Sequence, residues 1–237
     1  MVTYSYQFER ADEYEGHPSE IDNIQVCSPV KWYEYPGSEN RPYYFGHYDR
    51  KYYPNIKNAV IWRHSRDYPD NSEEWRYHVI WDYCMSKVTG NIWAEFGVAT
   101  GMSAYFFLRH LPENGKFYLL DSFEGLPEFW NGNPAGTFAC EVPEFDDPRA
   151  IVIKGWFEDT AVLPDVLDFV HIDCDTYSAT KTVLESIKVR KGTIILFDEL
   201  WGYPVYEDGE YGALMEWDVP YKFIVRDTKH RAAIEIL

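Results

Sequence analysis

Residues 92–103, I-W-A-E-F-G-V-A-T-G-M-S, constrain the fold more than any other part of this 237-residue chain. Ile92, Trp93, Ala94 and Phe96 read as a buried strand, Gly97 to Gly101 as a tight turn, and Met102 with Ser103 as the opening of a helix. Asp121 stands twenty residues beyond Gly101, directly after a second apolar run, F-Y-L-L at 117–120. Strand, glycine turn, helix, strand and acid in that order are the grammar of a nucleoside-cofactor site. The glycines let the backbone approach the ligand, and an acid at the next strand's tip can grip two ribose hydroxyls.

The spacing bears on which cofactor. A dinucleotide seats its pyrophosphate on a helix N-terminus behind G-x-G-x-x-G. Here the pattern is Glu95-x-Gly97-x-x-x-Gly101, with Ala99 where the middle glycine would fall and an acid just before the turn. S-adenosylmethionine (SAM) has no phosphate but carries a sulfonium and an ammonium group, and both favour nearby carboxylates. A ligand-free strand–helix connection is the other reading of the two glycines; Asp121 at its distance favours the cofactor.

The rest of the chain reads as an α/β domain. A helix starts at Asn71 or Ser72, with Trp75, Val79, Ile80, Cys84 and Val88 on one face, and ends at Gly90. After the strand at 92–96 come a helix over 102–111 stopped by Pro112, a strand at 117–120, a long loop over 122–149 and a short strand at 151–153. A strand at 168–172 leads into a helix from Ser178, which ends at Lys191–Gly192 ahead of a strand at 193–197. Apolar strands alternating with amphipathic helices predict a parallel sheet covered on both faces. Residues 221–225 and 232–237 are too close in sequence for a helical crossover and are expected to pair as an antiparallel hairpin. Residues 1–70 differ: they hold eleven of the 20 tyrosines and six of the 14 prolines. They are expected to form an irregular, aromatic-rich cap and substrate lid over a catalytic domain at 71–237. Such rings suit a sugar pocket, although most of them would simply pack the cap onto the domain.

Charge and composition narrow the partners. A net charge of −17 argues against nucleic acid or an anionic membrane, which need Lys and Arg to neutralise phosphate. No apolar run approaches a membrane span, no signal peptide is evident, and Cys27, Cys84, Cys140 and Cys174 show no C-x-x-C spacing, so a cytoplasmic protein with reduced thiols is expected. The sequence leaves homo-oligomerisation open.

In an open parallel sheet the ligand lies beyond the carboxyl ends of the strands. Those ends carry Glu95 and Gly97, Asp121, Gly155 to Glu158, Asp173 and Asp175, then Asp198 and Glu199. In H-I-D-C-D-T-Y (171–177), His171, Asp173 and Asp175 point to one side of an extended chain. Asp173 with Asp198 and Glu199 would make an all-oxygen site for Mg²⁺ or another hard divalent cation, while Asp175 takes a proton from a weakly acidic hydroxyl. Alternatively these acids cap the next helix and bond backbone amides without an ion. His171, inside the strand, is a second candidate base or else a buried, satisfied histidine.

Five segments in order, E-F-G-V-A-T-G-M-S (95–103), D-S-F-E-G-L-P-E (121–128), G-W-F-E-D-T (155–160), H-I-D-C-D-T-Y-S-A-T-K (171–181) and F-D-E-L-W-G-Y-P (197–204), resemble class I SAM-dependent methyltransferases. The resemblance is to the macrocin O-methyltransferase-like (TylF-like) group, which methylates sugar hydroxyls on natural products. It covers about residues 90–217. It implies a Rossmann-like, doubly wound, seven-stranded mixed sheet whose last strand pair is antiparallel. The implied SAM contacts are Glu95, Phe96, Gly97, Gly101 and Ser103 around the first turn. Asp121, Ser122 and Phe123 follow the second strand, and Trp156, Phe157 and Asp173 come from later strand ends. Asp173 is the implied metal ligand and Asp175 the candidate base. Members with a well-defined metal site carry Asp-Asp where this chain has Asp198-Glu199. The expected acceptor is a sugar or glycosylated small molecule, held under the cap and the loop at 200–211. A phenol methyltransferase, a nicotinamide-dependent oxidoreductase and a non-catalytic SAM-binding protein are the competing readings.

Overall fold

The computed structural model describes residues 76–201, 203, 205–226 and 230–237, so the expected N-terminal cap lies outside the described residues. Seven strands form one sheet: β1 (Ile92–Phe96), β2 (Lys116–Asp121), β3 (Ala150–Lys154), β4 (Leu167–Ile172), β5 (Val189–Phe197), β6 (Tyr221–Arg226) and β7 (Ala232–Ile236). Their order is β3-β2-β1-β4-β5-β7-β6. The first five pair in parallel, and β7 is antiparallel to both β5 and β6. The expected sheet and closing hairpin are both present.

Side-chain alternation sorts the core into two layers. Trp93, Phe117, Leu119, Phe169, Ile194 and Leu196 face helices α1 (Arg76–Lys87) and α2 (Met102–Leu108), meeting Ile80, Trp81, Cys84, Phe106 and Phe107. On the other face, Ala94, Phe96, Leu120, Val170, Ile172, Ile195 and Phe197 pack under α4 (Tyr177–Ser186) and α5 (Glu210–Met215), against Val183, Leu184, Ala213 and Leu214. A single turn, α3 (Phe157–Thr160), follows β3. Helix α2 stops three residues short of the expected end. The Arg149 guanidinium donates to the Leu108 and Leu111 carbonyls at 3.1 and 2.5 Å, satisfying groups that the helix itself leaves open. The helix before β5 ends at Ser186 rather than Lys191, and β5 begins four residues earlier than expected. Among the described residues no helix is long and apolar enough to cross a membrane.

Candidate functional site

The turn after β1 is held by backbone contact and one carboxylate. Gly97 has φ 90°, and its N–H donates to the Leu120 carbonyl at 3.0 Å. A Cβ there would overlap the Asp173 carbonyl oxygen, so the tips of β1 and β4 can approach this closely only with glycine at 97. Gly97→Ala is therefore expected to lower stability by roughly 2–3 kcal/mol in a thermal melt. A loss below about 0.5 kcal/mol, within the range of an ordinary surface substitution, would show that the turn yields. Asp121, at the tip of β2, accepts the Val98 and Ala99 N–H groups on one oxygen, both at 2.8 Å, and the Phe123 N–H on the other at 2.7 Å. It thereby supports Ala99 at φ 43°, a backbone conformation unfavourable for alanine.

The turn, the strand tips and the loop after β2 border a half-open cavity of about 300 Å³. Asp121, Asp173 and Asp175 all line it, with Gly97 and Ala99 as its floor. Leu126, Pro127, Trp130 and Phe138 from the loop over 122–149 build an apolar wall, and Trp156 and Phe157 face the same space. Among the described lining residues there are five carboxylates (with Glu158 and Glu199) and no Lys, Arg or His. That lining suits a sulfonium and repels a pyrophosphate.

The acids perturb one another. Burial, reinforced by Asp198, Asp175, Glu210 and Glu199, pushes the Asp173 carboxyl well above the ordinary carboxylate range. Burial, with Asp198 and Asp121, raises Asp175 to about 7. Asp175 adopts φ 62° and does not cap α4; Thr176 does, its hydroxyl accepting the Ala179 N–H at 3.3 Å. Asp175 is left facing the cavity.

Behind this rim runs a buried charge chain across four strands. Glu95 and His171 are register partners on β1 and β4, both turned toward α2. Glu95 accepts from the Ser103 hydroxyl and lies 3.0 Å from His171 Nδ1. His171 Nε2 is 3.8 Å from Asp198 Oδ1, an ion-pair distance too long for a hydrogen bond. Arg231 grips Asp198 through Nε at 2.6 Å and a terminal nitrogen at 3.3 Å. Burial works against the His171 charge, but Asp198 and Glu95 outweigh it and raise the imidazole to about 9. Burial likewise opposes the Asp198 charge, yet Arg231 and His171 hold that carboxyl well below its ordinary range.

Three expectations change on this geometry. His171 is not a base at the rim: it is fully buried, charged by its partners and walled in by Trp81 and Phe107. Asp198 is committed to an ion pair, because Arg231 donates to each of its oxygens. Among the described residues no three His, Cys, Asp or Glu side chains are grouped to hold an ion, so Asp173, Asp198 and Glu199 do not fit the expected Mg²⁺ site. None of the described residues of the loop at 200–211 lines the cavity either: Leu200 and Trp201 are buried in the core, and the loop over 122–149 supplies the wall.

Of the expected cofactor contacts, Gly97, Asp121, Ser122, Trp156, Phe157 and Asp173 face the cavity. Glu95, Phe96, Gly101, Ser103 and Phe123 lie behind its lining. Phe96 supports Phe157 edge-on at 5.6 Å, and Gly101 sits under the Phe145 ring. Sequence reasoning missed Arg231 and Glu210. Only the β5–β7 register, which pairs Phe197 with Ala232, sets Arg231 beside Asp198.

Residues 94–200 match the Methyltransf_24 family model, a methyltransferase domain. Among solved structures the chain is similar to the O-methyltransferase NovP, at 20% identity and a TM-score of 0.55 over 72% of this chain and 85% of that one. It is similar to the calicheamicin methyltransferase CalS11, at 20% identity and 0.57 over 95% and 99%. The methyltransferase PaMTH1 of Podospora anserina, bound to S-adenosylhomocysteine (SAH), aligns at 13% identity and 0.51 over 90% and 100%. No curated protein sequence matches. The fold is the Rossmann-like methyltransferase fold.

Proposed function

We propose that this chain is a SAM-dependent O-methyltransferase acting on a hydroxyl of a sugar or glycosylated small molecule, in the TylF-like group. The observation that carries the reading is that Asp121 and the pair Asp173–Asp175 face one cavity above a side-chain-free Gly97. The neighbours support it: NovP is described as an O-methyltransferase and CalS11 as a TDP-rhamnose 3'-O-methyltransferase of calicheamicin biosynthesis. SAM, when bound, supplies an electrophilic methyl group. Asp121 has about one of its four acceptor sites left for a ribose hydroxyl beyond the three amides it already accepts. Ser122, Trp156 and Phe157 offer the adenine a polar edge and flat faces, and the neighbouring carboxylates attract the sulfonium and ammonium charges. Asp175 takes the hydroxyl proton as the oxygen attacks in line, and the walls contribute by fixing the two reactants in reach of each other. We assign catalysis to residues 71–237 and acceptor choice chiefly to residues 1–70.

Asp121→Ala should raise the SAM dissociation constant roughly 10–100-fold by calorimetry, the equivalent of one hydrogen bond to a charged group. Some thermal stability goes with it, since three amides lose their acceptor, so the titration is run where circular dichroism shows both proteins folded. Unchanged affinity would discard the cofactor assignment. The apolar wall of Leu126, Pro127, Trp130 and Phe138 gives a phenolic acceptor as the second reading, and turnover on catechols but not on sugars would select it.

A further inference from the structure

We infer that Glu210 is a positioning residue that locks the two acid-bearing loops of the cavity into one geometry, an inference that rests on the methyltransferase reading for its catalytic consequence. Glu210 opens α5 and is fully buried. One of its oxygens accepts the Cys174 N–H at 3.1 Å and the other accepts the Glu199 N–H at 3.2 Å. Cys174 lies between Asp173 and Asp175, so a single carboxylate fixes the backbone carrying the candidate base and the backbone carrying Glu199. Glu210 does not itself line the cavity.

Two features make this clamp stiff. The residue before it, Gly209, forms an isolated bridge with Thr176, and a Cβ on Gly209 would come within 2.5 Å of the Tyr203 hydroxyl and 3.3 Å of the Asp175 carbonyl oxygen. Tyr203 in turn meets Trp130 of the cavity wall at 5.9 Å between ring centroids. Glu210 therefore sits where α5, both acid loops and the aromatic wall converge.

The chemistry of the residue fits the task. Two N–H donors need two acceptor oxygens. A carboxyl group has them, protonated or not, whereas an amide has one and would turn its NH₂ against the other donor. Burial next to Asp175, Glu199 and Asp198 drives the Glu210 carboxyl well above its ordinary range, a cost a packing residue would not carry. Leucine would fill the space more cheaply, but it accepts neither amide.

Amide exchange in Glu210→Gln tests this without an acceptor. Protection at Cys174 and Glu199 should fall at least about tenfold while Ile234 in the terminal hairpin keeps its protection, because the opening is local. SAH affinity should stay within about threefold, since the cavity floor at Gly97 is untouched. With methyl α-L-rhamnopyranoside and 4-nitrocatechol as probe acceptors, kcat should drop roughly 100-fold with little change in KM, as expected when a reactive group is displaced by about an ångström. Unchanged protection at both amides, or equal loss at Ile234, overturns the proposal. If the wild-type protein binds no SAM, the methyltransferase reading fails, and the exchange result still decides whether Glu210 clamps the loops.

Discussion

Arg231→Met should destabilise the protein by about 3–5 kcal/mol, because it removes the cation from a buried carboxylate while keeping most of the side-chain volume. Asp198 is 7% exposed and Arg231 3%. Their pairing follows from the sheet: Phe197 on β5 and Ala232 on β7 are register partners, so the next residues outward, 198 and 231, meet. Without Arg231, His171 at 3.8 Å is the cationic neighbour left to Asp198 among the described residues, and Asp198 stays close to Asp173 and Asp175. The pH dependence follows from the sign of the shift. Asp198 is depressed in the folded state, so its contribution is present above the ordinary carboxylate pKa and lost only on strong acidification. In the variant that carboxyl rises and takes up a proton, so the damage seen by urea unfolding should be smaller at pH 5 than at pH 8. Asp198→Leu combined with Arg231→Met should recover much of the loss, since it is the uncompensated charge that costs. A loss under about 1 kcal/mol, the range of an exposed pair, would mean that water reaches the pair and screens it.

What the sequence shows of this fold is decided by burial. Strands β1, β2 and β4 are located to within a residue of their ends because both faces are covered, and such strands read as unbroken apolar runs. Strand β5 is misjudged because Arg190 and Lys191 near its start are charged and exposed and break the apolar run. Gly192 at φ 87° imitates the glycine that ends a helix. Helices α3 and α5 have four and six residues, too few to show a period.

The site divides the same way. Gly97, Asp121, Asp173 and Asp175 are legible because position at a strand's carboxyl end already places them at the rim. What each carboxylate meets there is not legible. Asp198 and Glu199 are neighbours in sequence, yet one turns inward to Arg231 and the other lines the cavity. Glu95 and His171 are two residues short of Gly97 and Asp173, and alternation sends both inward beneath α2. Glu210 gave no signal at all, because its two partners are backbone amides, which every residue carries.

Asp175→Asn should lower kcat by roughly 10²–10⁴-fold, the range for a positioned general base, with SAM affinity within a few-fold of wild type. The substitution is a clean one at this position. Asp175 sits at φ 62°, a conformation asparagine tolerates as well as aspartate, so the backbone need not move. Since Asp175 is raised to about 7 in the free protein, wild-type kcat/KM should climb as pH rises through neutrality and level off above it; the variant should lose that limb. Stability runs the other way. Asp173, Asp175 and Glu210 are all raised in the folded state, so their contribution is full below the ordinary carboxylate pKa and declines as pH rises toward and through about 7. These three groups therefore weaken the ligand-free protein at the pH where its base is active. A bound sulfonium offsets that repulsion, so SAM should bind more tightly at pH 8 than at pH 5 and expel protons as it binds. Calorimetry in buffers of different ionisation enthalpy reads that release directly. A fully active Asp175→Asn, or SAM binding indifferent to pH, would place the proton acceptor elsewhere and the cation away from these acids.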